Sequence, residues 1–105
     1  MLVLQDILNQ HKGDKIEDDA LLLQANLFKE QQDFNQAIKN YNRILNLESS
    51  IFKDDALYHL AKLHLKLGEK KMAKTYFEMI IFNHPDSIYF VTAQKQFRRL
   101  RGDSI

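Results

Sequence analysis

The tetrapeptide Asp18-Asp19-Ala20-Leu21 occurs a second time as Asp54-Asp55-Ala56-Leu57, 36 residues further along the chain. Similar or identical residues continue to match at this spacing without a gap. The matching pairs are Ala25 and Ala61, Leu27 and Leu63, Ala37 and Ala73, Tyr41 and Phe77, Ile44 and Ile80, and Leu45 and Ile81. A match sustained at one fixed period is typical of a repeat architecture. We therefore interpret the chain as two copies of one structural unit.

Each copy has the apolar spacing of two amphipathic helices. Gly68 lies between the two halves of the second copy and Pro85 follows it, which are the positions where helices end. The sequence has no sustained two-residue alternation and no Asn-Gly or Asp-Gly hairpin turn. We therefore predict an all-α domain. The helical stripes of the first copy are Leu21, Ala25 and Phe28, followed by Ala37, Tyr41, Ile44 and Leu45.

The chain has 105 residues, of which 45% are hydrophobic and 28% are charged, a composition typical of one globular domain. Cys is absent, which excludes a disulfide framework, thiolate metal ligands and thiol catalysis. The net charge of +1 is unevenly distributed, because residues 1–57 hold six Lys or Arg and ten Asp or Glu, whereas residues 58–105 hold nine and four. The chain is therefore an electrical dipole along its sequence rather than a basic protein.

The first residues, Met-Leu-Val-Leu-Gln-Asp, lack the basic segment of a secretory signal. The longest apolar runs are far shorter than the ~20 residues of a spanning helix. We expect a soluble chain with no targeting signal, and the compartment stays open.

Small residues occupy equivalent positions in the predicted helices, namely Ala25, Ala37, Ala61 and Ala73. A side chain larger than a methyl group would separate two antiparallel helices that cross closely. We expect these alanines in helix–helix interfaces, covered by the aromatic rings one turn further along.

These residues resemble the signature of the tetratricopeptide repeat family, a helix-turn-helix unit of about 34 residues. In the second copy the resemblance rests on Leu57, Leu60, Ala61, Gly68, Ala73, Phe77 and Pro85, and in the first on Ala25, Phe34, Ala37, Tyr41 and Ile44. The chain differs from the family in its 36-residue period, in Leu replacing the first-helix Trp, and in Gln24 where Leu is usual. The resemblance implies repeats stacked as a short right-handed α-solenoid.

We divide the single domain, residues 1–105, into four segments. Residues 1–12 resemble the second helix of a preceding unit, residues 18–49 and 54–85 are the two repeats, and residues 86–101 form a C-terminal capping helix. Asp86 or Ser87 is expected to cap this last helix, and its buried stripe is expected to be Tyr89, Ala93, Phe97 and Leu100. The chain resembles the C-terminal end of a large bacterial multi-repeat protein of this family, so we expect it to be part of a longer protein.

Catalysis and metal binding are not favoured. His59 and His64 are five residues apart, so on a helix they point to different faces and cannot chelate one ion. His64 is expected to pack in the domain or to be partly exposed. The two Asp pairs open predicted helices, where carboxylates cap N–H groups and favour the positive dipole end, without a catalytic dyad. No nucleophile elbow or phosphate-binding loop is present, and we predict a non-enzyme without cofactors.

In the family, the first helices of successive units line a concave groove that holds peptide ligands. The resemblance therefore implies a non-catalytic interaction scaffold that binds a peptide or protein partner. Its lining is mixed, and suits a segment with one hydrophobic side chain and an acidic group near the second-copy lysines. The implied groove residues are Asp19, Leu22, Asn26, Lys29 and Glu30 in the first repeat, and Asp55, Tyr58, Lys62, Leu65 and Lys66 in the second.

Two alternatives stay open. The chain can instead be a structural end segment of a longer solenoid that self-associates through apolar residues near its first helix, residues 2–8. A less favoured alternative is weak nucleic-acid binding through the basic cluster of the last helix, which is Lys95, Arg98, Arg99 and Arg101. The groove itself can also be merely solvated or covered by neighbouring repeats.

Overall fold

The computed structural model describes residues 16–102, and these residues form five α-helices and no strand. The expected all-α repeat fold is confirmed. The predicted helix of residues 1–12 lies outside the described residues. The helices are α1 (Ile16–Glu30), α2 (Phe34–Leu45), α3 (Lys53–Lys66), α4 (Lys70–Asn83) and α5 (Phe90–Arg101).

The chain divides into two compact units between Lys53 and Asp54. Unit one contains α1 and α2, and unit two contains α3, α4 and α5. No helix within residues 16–102 is long and apolar enough to span a membrane.

In unit one, α1 and α2 form a helical hairpin joined by residues 31–33. Gln32 adopts the left-handed backbone conformation, with φ of 63°, and the Asp33 carboxylate accepts the Gln36 N–H at the start of α2. One buried polar pair crosses the hairpin, because Asn40 donates to Gln24 Oε1 over 2.6 Å. The buried apolar residues of the hairpin are Ala20, Leu21, Ala25, Ala37, Tyr41 and Ile44.

In unit two, α3 and α4 are joined by a turn at Gly68, whose φ of 80° is left-handed and is readily adopted by glycine. His64 is buried, as expected. Its ring stacks on Tyr76 of α4 with centroids 5.4 Å apart, and its Nδ1 lies 3.0 Å from Glu69 Oε1. The buried apolar residues of this unit are Ala56, Leu57, Leu60, Ala61, Leu63, Ala73, Phe77, Ile80 and Ala93.

The four repeat-matched alanines are all in the core. Ala25, Ala37, Ala61 and Ala73 are each 0% exposed, as close helix packing requires. Tyr41 and Phe77, one turn beyond the second-helix alanines, are also fully buried. The prediction that these alanines are buried is confirmed.

Both Asp pairs lie in the first turn of a helix, as predicted, where carboxylates favour the positive end of the helix dipole. Helices α1 and α3 begin at Ile16 and Lys53, so both pairs lie inside the first turn rather than at the cap position. Only Asp54 accepts a nearby backbone N–H, that of Asp55, through its Oδ1. Asp18 and Asp54 also accept from side-chain hydroxyls of the segment that follows the second helix of each repeat.

The hydroxyl groups belong to two serines in equivalent turns. Ser50 donates to Asp18 Oδ2 over 2.8 Å, and Ser87 donates to Asp54 Oδ2 over 2.6 Å. Each serine oxygen also accepts the backbone N–H two residues later. We call these two arrangements the serine bridges. Each one ties the segment after a second helix to the first helix of the same repeat.

Helix α5 begins at Phe90 and not at residue 86, and neither predicted residue caps it. Tyr89 holds the cap position, and its side chain makes no capping hydrogen bond. Ser87 is instead engaged in its serine bridge. Of the predicted buried stripe only Ala93 is buried, whereas Tyr89, Phe97 and Leu100 are half-buried. The helix ends at Gly102 with φ of 96°, as expected for a glycine at a helix C-terminus.

Candidate functional site

The predicted groove residues lie on the first helix of each unit, and each half is described separately. In unit one, Asp19 and Glu30 are exposed, and Leu22, Asn26 and Lys29 on α1 are half-buried. Asn26 is held by the second helix of the hairpin, because its Oδ1 accepts the hydroxyl of Tyr41. With this oxygen engaged, the group that Asn26 can present to a ligand is its side-chain N–H₂.

In unit two, three predicted residues are successive neighbours along one face of α3. Asp55, Tyr58 and Lys62 are spaced by three and four residues, which places them on one side of a helix. The Lys62 Nζ lies 5.2 Å from the centroid of the Tyr58 ring, within the range of a cation–π contact. Leu65 continues this face and is half-buried, and Lys66 is exposed.

Tyr89 completes this site. The sequence predicted this residue in the core, and that prediction is wrong. Its ring stacks on Tyr58 with centroids 4.1 Å apart and planes inclined by 11°, and its hydroxyl donates to Asp55 Oδ1 over 2.6 Å. We call Asp55, Tyr58, Lys62 and Tyr89 the tyrosine cluster. Tyr89 was predicted to belong to the buried stripe of the last helix, but it lies just before α5 and covers α3.

A sequence signal for Tyr89 exists at a different spacing. Ser50-Ile51-Phe52 is repeated as Ser87-Ile88-Tyr89, 37 residues later. This offset is one residue longer than the period of the helices, so an ungapped comparison at 36 residues does not detect it. The extra residue lies between Ile81 and Ser87, where α4 continues for two residues past the position equivalent to the end of α2.

In the tyrosine cluster, the Asp55 carboxylate accepts a hydrogen bond from Tyr89 and favours the protonated form of its hydroxyl. Burial, and then the hydrogen bond to the Asp55 carboxylate, raise the pKa of the Tyr89 hydroxyl above its ordinary value. Further along α3, Lys62 and Lys66 are exposed. The face therefore has an aromatic centre with cations toward its C-terminal end.

The arrangement provides contacts for binding. Among residues 16–102, no group of three or more His, Cys, Asp or Glu side chains could hold a metal ion. The stacked tyrosines supply a rigid apolar surface, since an aromatic ring has few rotatable bonds to immobilise. The lysines supply hydrogen-bond donors with positive charge.

The basic cluster of α5 is on the surface. Lys95, Arg98, Arg99 and Arg101 are all exposed, and three of them lie in the last turn, where cations favour the helix dipole. The Arg101 guanidinium lies 5.1 Å from the centroid of the Phe97 ring.

Comparison with known families identifies one match. The model of the tetratricopeptide repeat matches residues 19–48 and 55–87, which together are more than half of the chain. The two matched segments correspond to the two internal copies found in the sequence. No curated protein and no solved structure matches the chain.

Proposed function

The chain belongs to the tetratricopeptide repeat family, and from this premise we propose that it binds a peptide or protein partner on the faces of α1 and α3. Repeats of this family generally mediate protein–protein interaction and are typically non-catalytic. We propose that this chain has no catalytic role and needs no cofactor. The proposed partner is an extended or helical segment that carries one large hydrophobic side chain and an acidic group.

The observation that carries this proposal is the tyrosine cluster. A solvated helix face has no need for two stacked aromatic rings, one of which is held by a carboxylate. In the cluster, Tyr58 is fixed from one side by Tyr89 and approached by Lys62. Little side-chain entropy is then lost when a partner docks on Tyr58.

The charge of the face selects the partner. Lys62 and Lys66 are exposed and one turn apart, so an acidic side chain beside the docked hydrophobic group can reach both. Because surface lysines attract anions over about one Debye length, they contribute to the rate of encounter and to orientation. On α1, the N–H₂ group of Asn26 provides a hydrogen-bond donor to a partner, because its Oδ1 accepts the Tyr41 hydroxyl.

Affinity capture from a lysate of the native source tests the proposal, at about 0.15 M salt with nuclease present. The wild type is compared with a triple variant, Tyr58→Ala, Lys62→Glu and Lys66→Glu. The matched control is Lys70→Glu with Lys71→Glu, which reverses two exposed lysines on α4. We expect a discrete protein that the wild type and the control retain and the triple variant loses. Retention of the same protein by all three chains would contradict the proposal.

A structural role in a longer solenoid is the second candidate. Within residues 16–102, three large apolar side chains, those of Ile51, Phe82 and Ile88, are at least 75% exposed. Exposed apolar side chains favour contact with other repeats. The segment at residues 2–8 that was predicted to self-associate lies outside the described residues. Concentration-dependent association that is independent of salt, measured by sedimentation, would favour this candidate over the groove.

A further inference from the structure

An open cleft lies on unit two, away from the tyrosine cluster. It has a volume of ≈ 220 Å³ and is formed by neighbouring faces of α4 and α5. Phe82, at the end of α4, is 75% exposed, although a phenylalanine ring is normally buried. The lining residues are Ile81, Phe82, Gln94, Phe97, Arg98 and Arg101.

The serine bridges align α5 with α3 and identify which side of α5 forms the cleft. Ala56 follows Ser50 by six residues and Ala93 follows Ser87 by six residues. Both alanines are 0% exposed, so the two helices share one register at an offset of 37 residues. The cleft residues of α5 therefore occupy positions whose α3 equivalents are known.

In α3 these equivalent positions belong to the core. Leu57, Ala61 and His64 are buried, and His64 contacts the second helix of its repeat through Tyr76. In α5 the corresponding residues are Gln94, Arg98 and Arg101. The side of a first helix that is normally covered by another helix is thus polar and cationic in α5.

The charged residues that line the cleft, Arg98 and Arg101, are both cationic. Helix α5 contains four Lys or Arg and no Asp or Glu, and none of the six lining residues is acidic. Arg98 is exposed, and the Arg101 guanidinium lies over Phe97. A guanidinium beside an aromatic ring binds carboxylates in fork geometry while its plane covers the ring.

We propose that the α4–α5 cleft binds an acidic amphipathic helix of a protein partner. A large apolar side chain of this helix packs against Phe82 and Phe97, and carboxylates one turn away pair with Arg98 and Arg101. A helix suits the site because the cleft lies between two helices, as in helix-in-groove recognition. This surface is separate from the α3 face and adds a second binding site to the proposed function.

A second copy of the chain fits this chemistry less well. Its paired carboxylates are largely engaged within their own repeats, because Asp18 accepts from Ser50, Asp54 from Ser87 and Asp55 from Tyr89. Each of these carboxylates already uses one of its acceptor sites within its own repeat. A nucleic acid fits less well because Ile81 and Phe82 form an apolar floor that phosphates would not cover.

Two synthetic helical peptides of about 15 residues test the proposal, four turns being enough to cross the cleft. Both carry the same apolar residues at helical spacing. One has glutamates and the other lysines at the flanking positions. Fluorescence anisotropy of the labelled peptides measures their affinity for the whole chain at about 0.15 M salt. We expect the glutamate peptide to bind at least about tenfold more tightly than the lysine peptide, as charge complementarity predicts.

Matched variants locate the binding. Phe82→Ala and Arg98→Glu are each expected to lower the affinity for the glutamate peptide by about tenfold or more. Met72→Ala removes another exposed apolar side chain of α4, and Arg99→Glu reverses an exposed α5 cation that does not line the cleft. Both are expected to keep most of the affinity. Lys62→Glu is also expected to bind the glutamate peptide with the affinity of the wild type. This result would distinguish binding at the cleft from binding at the α3 face.

Three results would overturn the proposal. The first is equal affinity for both peptides, or an affinity unchanged by Phe82→Ala and Arg98→Glu. The second is a dimer in sedimentation that Phe82→Ala abolishes, which would identify a second copy as the occupant. The third is that a single-stranded oligonucleotide displaces the glutamate peptide and that its own binding is lost in Arg98→Glu. If a variant fails to fold, NMR chemical shifts of the wild type are followed as the glutamate peptide is added. Shift changes in α4 and α5 would support the site, and changes in α3 alone would contradict it.

Discussion

The side-chain amide of Asn40 donates a hydrogen bond of 2.6 Å to Gln24 Oε1 inside the α1–α2 hairpin. Both residues are only 3% exposed. Gln24 stands where the family usually has leucine, and the structure explains this departure, because the polar residue is matched by a polar partner on the facing helix. A buried amide that lacks such a partner loses its hydration without compensation.

Gln24→Leu is therefore expected to destabilise the chain although leucine is usual at this position. It leaves the buried Asn40 amide without its Gln24 acceptor, at a cost of about 1–3 kcal/mol in the free energy of unfolding. The double variant Gln24→Leu with Asn40→Leu is expected to recover most of this loss. Urea denaturation of the four chains of the cycle measures the coupling. Strictly additive effects would show that the pair does not act as a unit.

Ser87→Ala is expected to lower the free energy of unfolding by about 1 kcal/mol or more. The change removes the donor to Asp54 and the acceptor of the Tyr89 N–H. Ser50→Ala removes the equivalent serine bridge in unit one and is expected to have a similar effect. Ser49→Ala, at an exposed neighbour, is the control. Thermal melts in which Ser49→Ala and Ser50→Ala behave alike would argue against the bridge.

The two hairpin turns predict opposite changes in stability when glycine is introduced at one turn and removed from the other. Gln32 and Gly68 are 36 residues apart and both have left-handed backbone, with φ of 63° and 80°. A side chain in this conformation costs roughly 1–2 kcal/mol. Gln32→Gly is therefore expected to leave the stability unchanged or raise it by up to about 1 kcal/mol, since added chain entropy offsets part of the gain.

Gly68→Gln is the reciprocal change and is expected to destabilise by about 1 kcal/mol. The space around Gly68 is open, with no heavy atom within 4 Å of the position of an added Cβ, so the penalty comes from the backbone alone. Chemical denaturation of both variants tests the pair. A loss of stability in Gln32→Gly larger than in Gly68→Gln would contradict the assignment.

Tyr89 predicts a dependence of stability on alkaline pH. Its raised pKa means that the folded chain retains the phenol proton more tightly than the unfolded chain, in which tyrosine ionises near pH 10. The resulting stabilisation is fully present below about pH 10 and is lost as the pH rises toward the folded-state pKa. We expect the free energy of unfolding of the wild type to fall more steeply above about pH 10 than that of Tyr89→Phe.

Asp55→Asn provides the control for this prediction. It removes the negative charge that faces the Tyr89 hydroxyl and is expected to lower the pKa of Tyr89 toward its ordinary value. Urea denaturation across the alkaline range gives the stability, and tyrosinate absorbance follows the titration. Identical pH profiles for the wild type and Tyr89→Phe would show that the hydroxyl has no such role.

Much of the fold was predictable because its signals are local or strictly periodic. The buried alanines, the glycine turn at Gly68 and the helix end at Gly102 each follow from a residue type whose size or backbone freedom suits one position. Of the candidate site, the α3 residues Asp55, Tyr58 and Lys62 were implied by the resemblance to the family. Tyr89, which contacts Asp55 and Tyr58, was not identified as part of the site, because it is 31 residues from Tyr58 in the chain and its repeat signal is shifted by one residue.

The sequence by itself determined that this chain forms repeated helical pairs, because helix formation and close packing depend on side-chain size and on a period of 3.6 residues. Only the tertiary structure decided what the polar residues do. Gln24 meets Asn40, and the first-turn aspartates meet Ser50 and Ser87, across separations of 16 to 33 residues. Hydrogen bonds depend on distances of a few tenths of an ångström, and no local pattern encodes which two polar side chains will be that close.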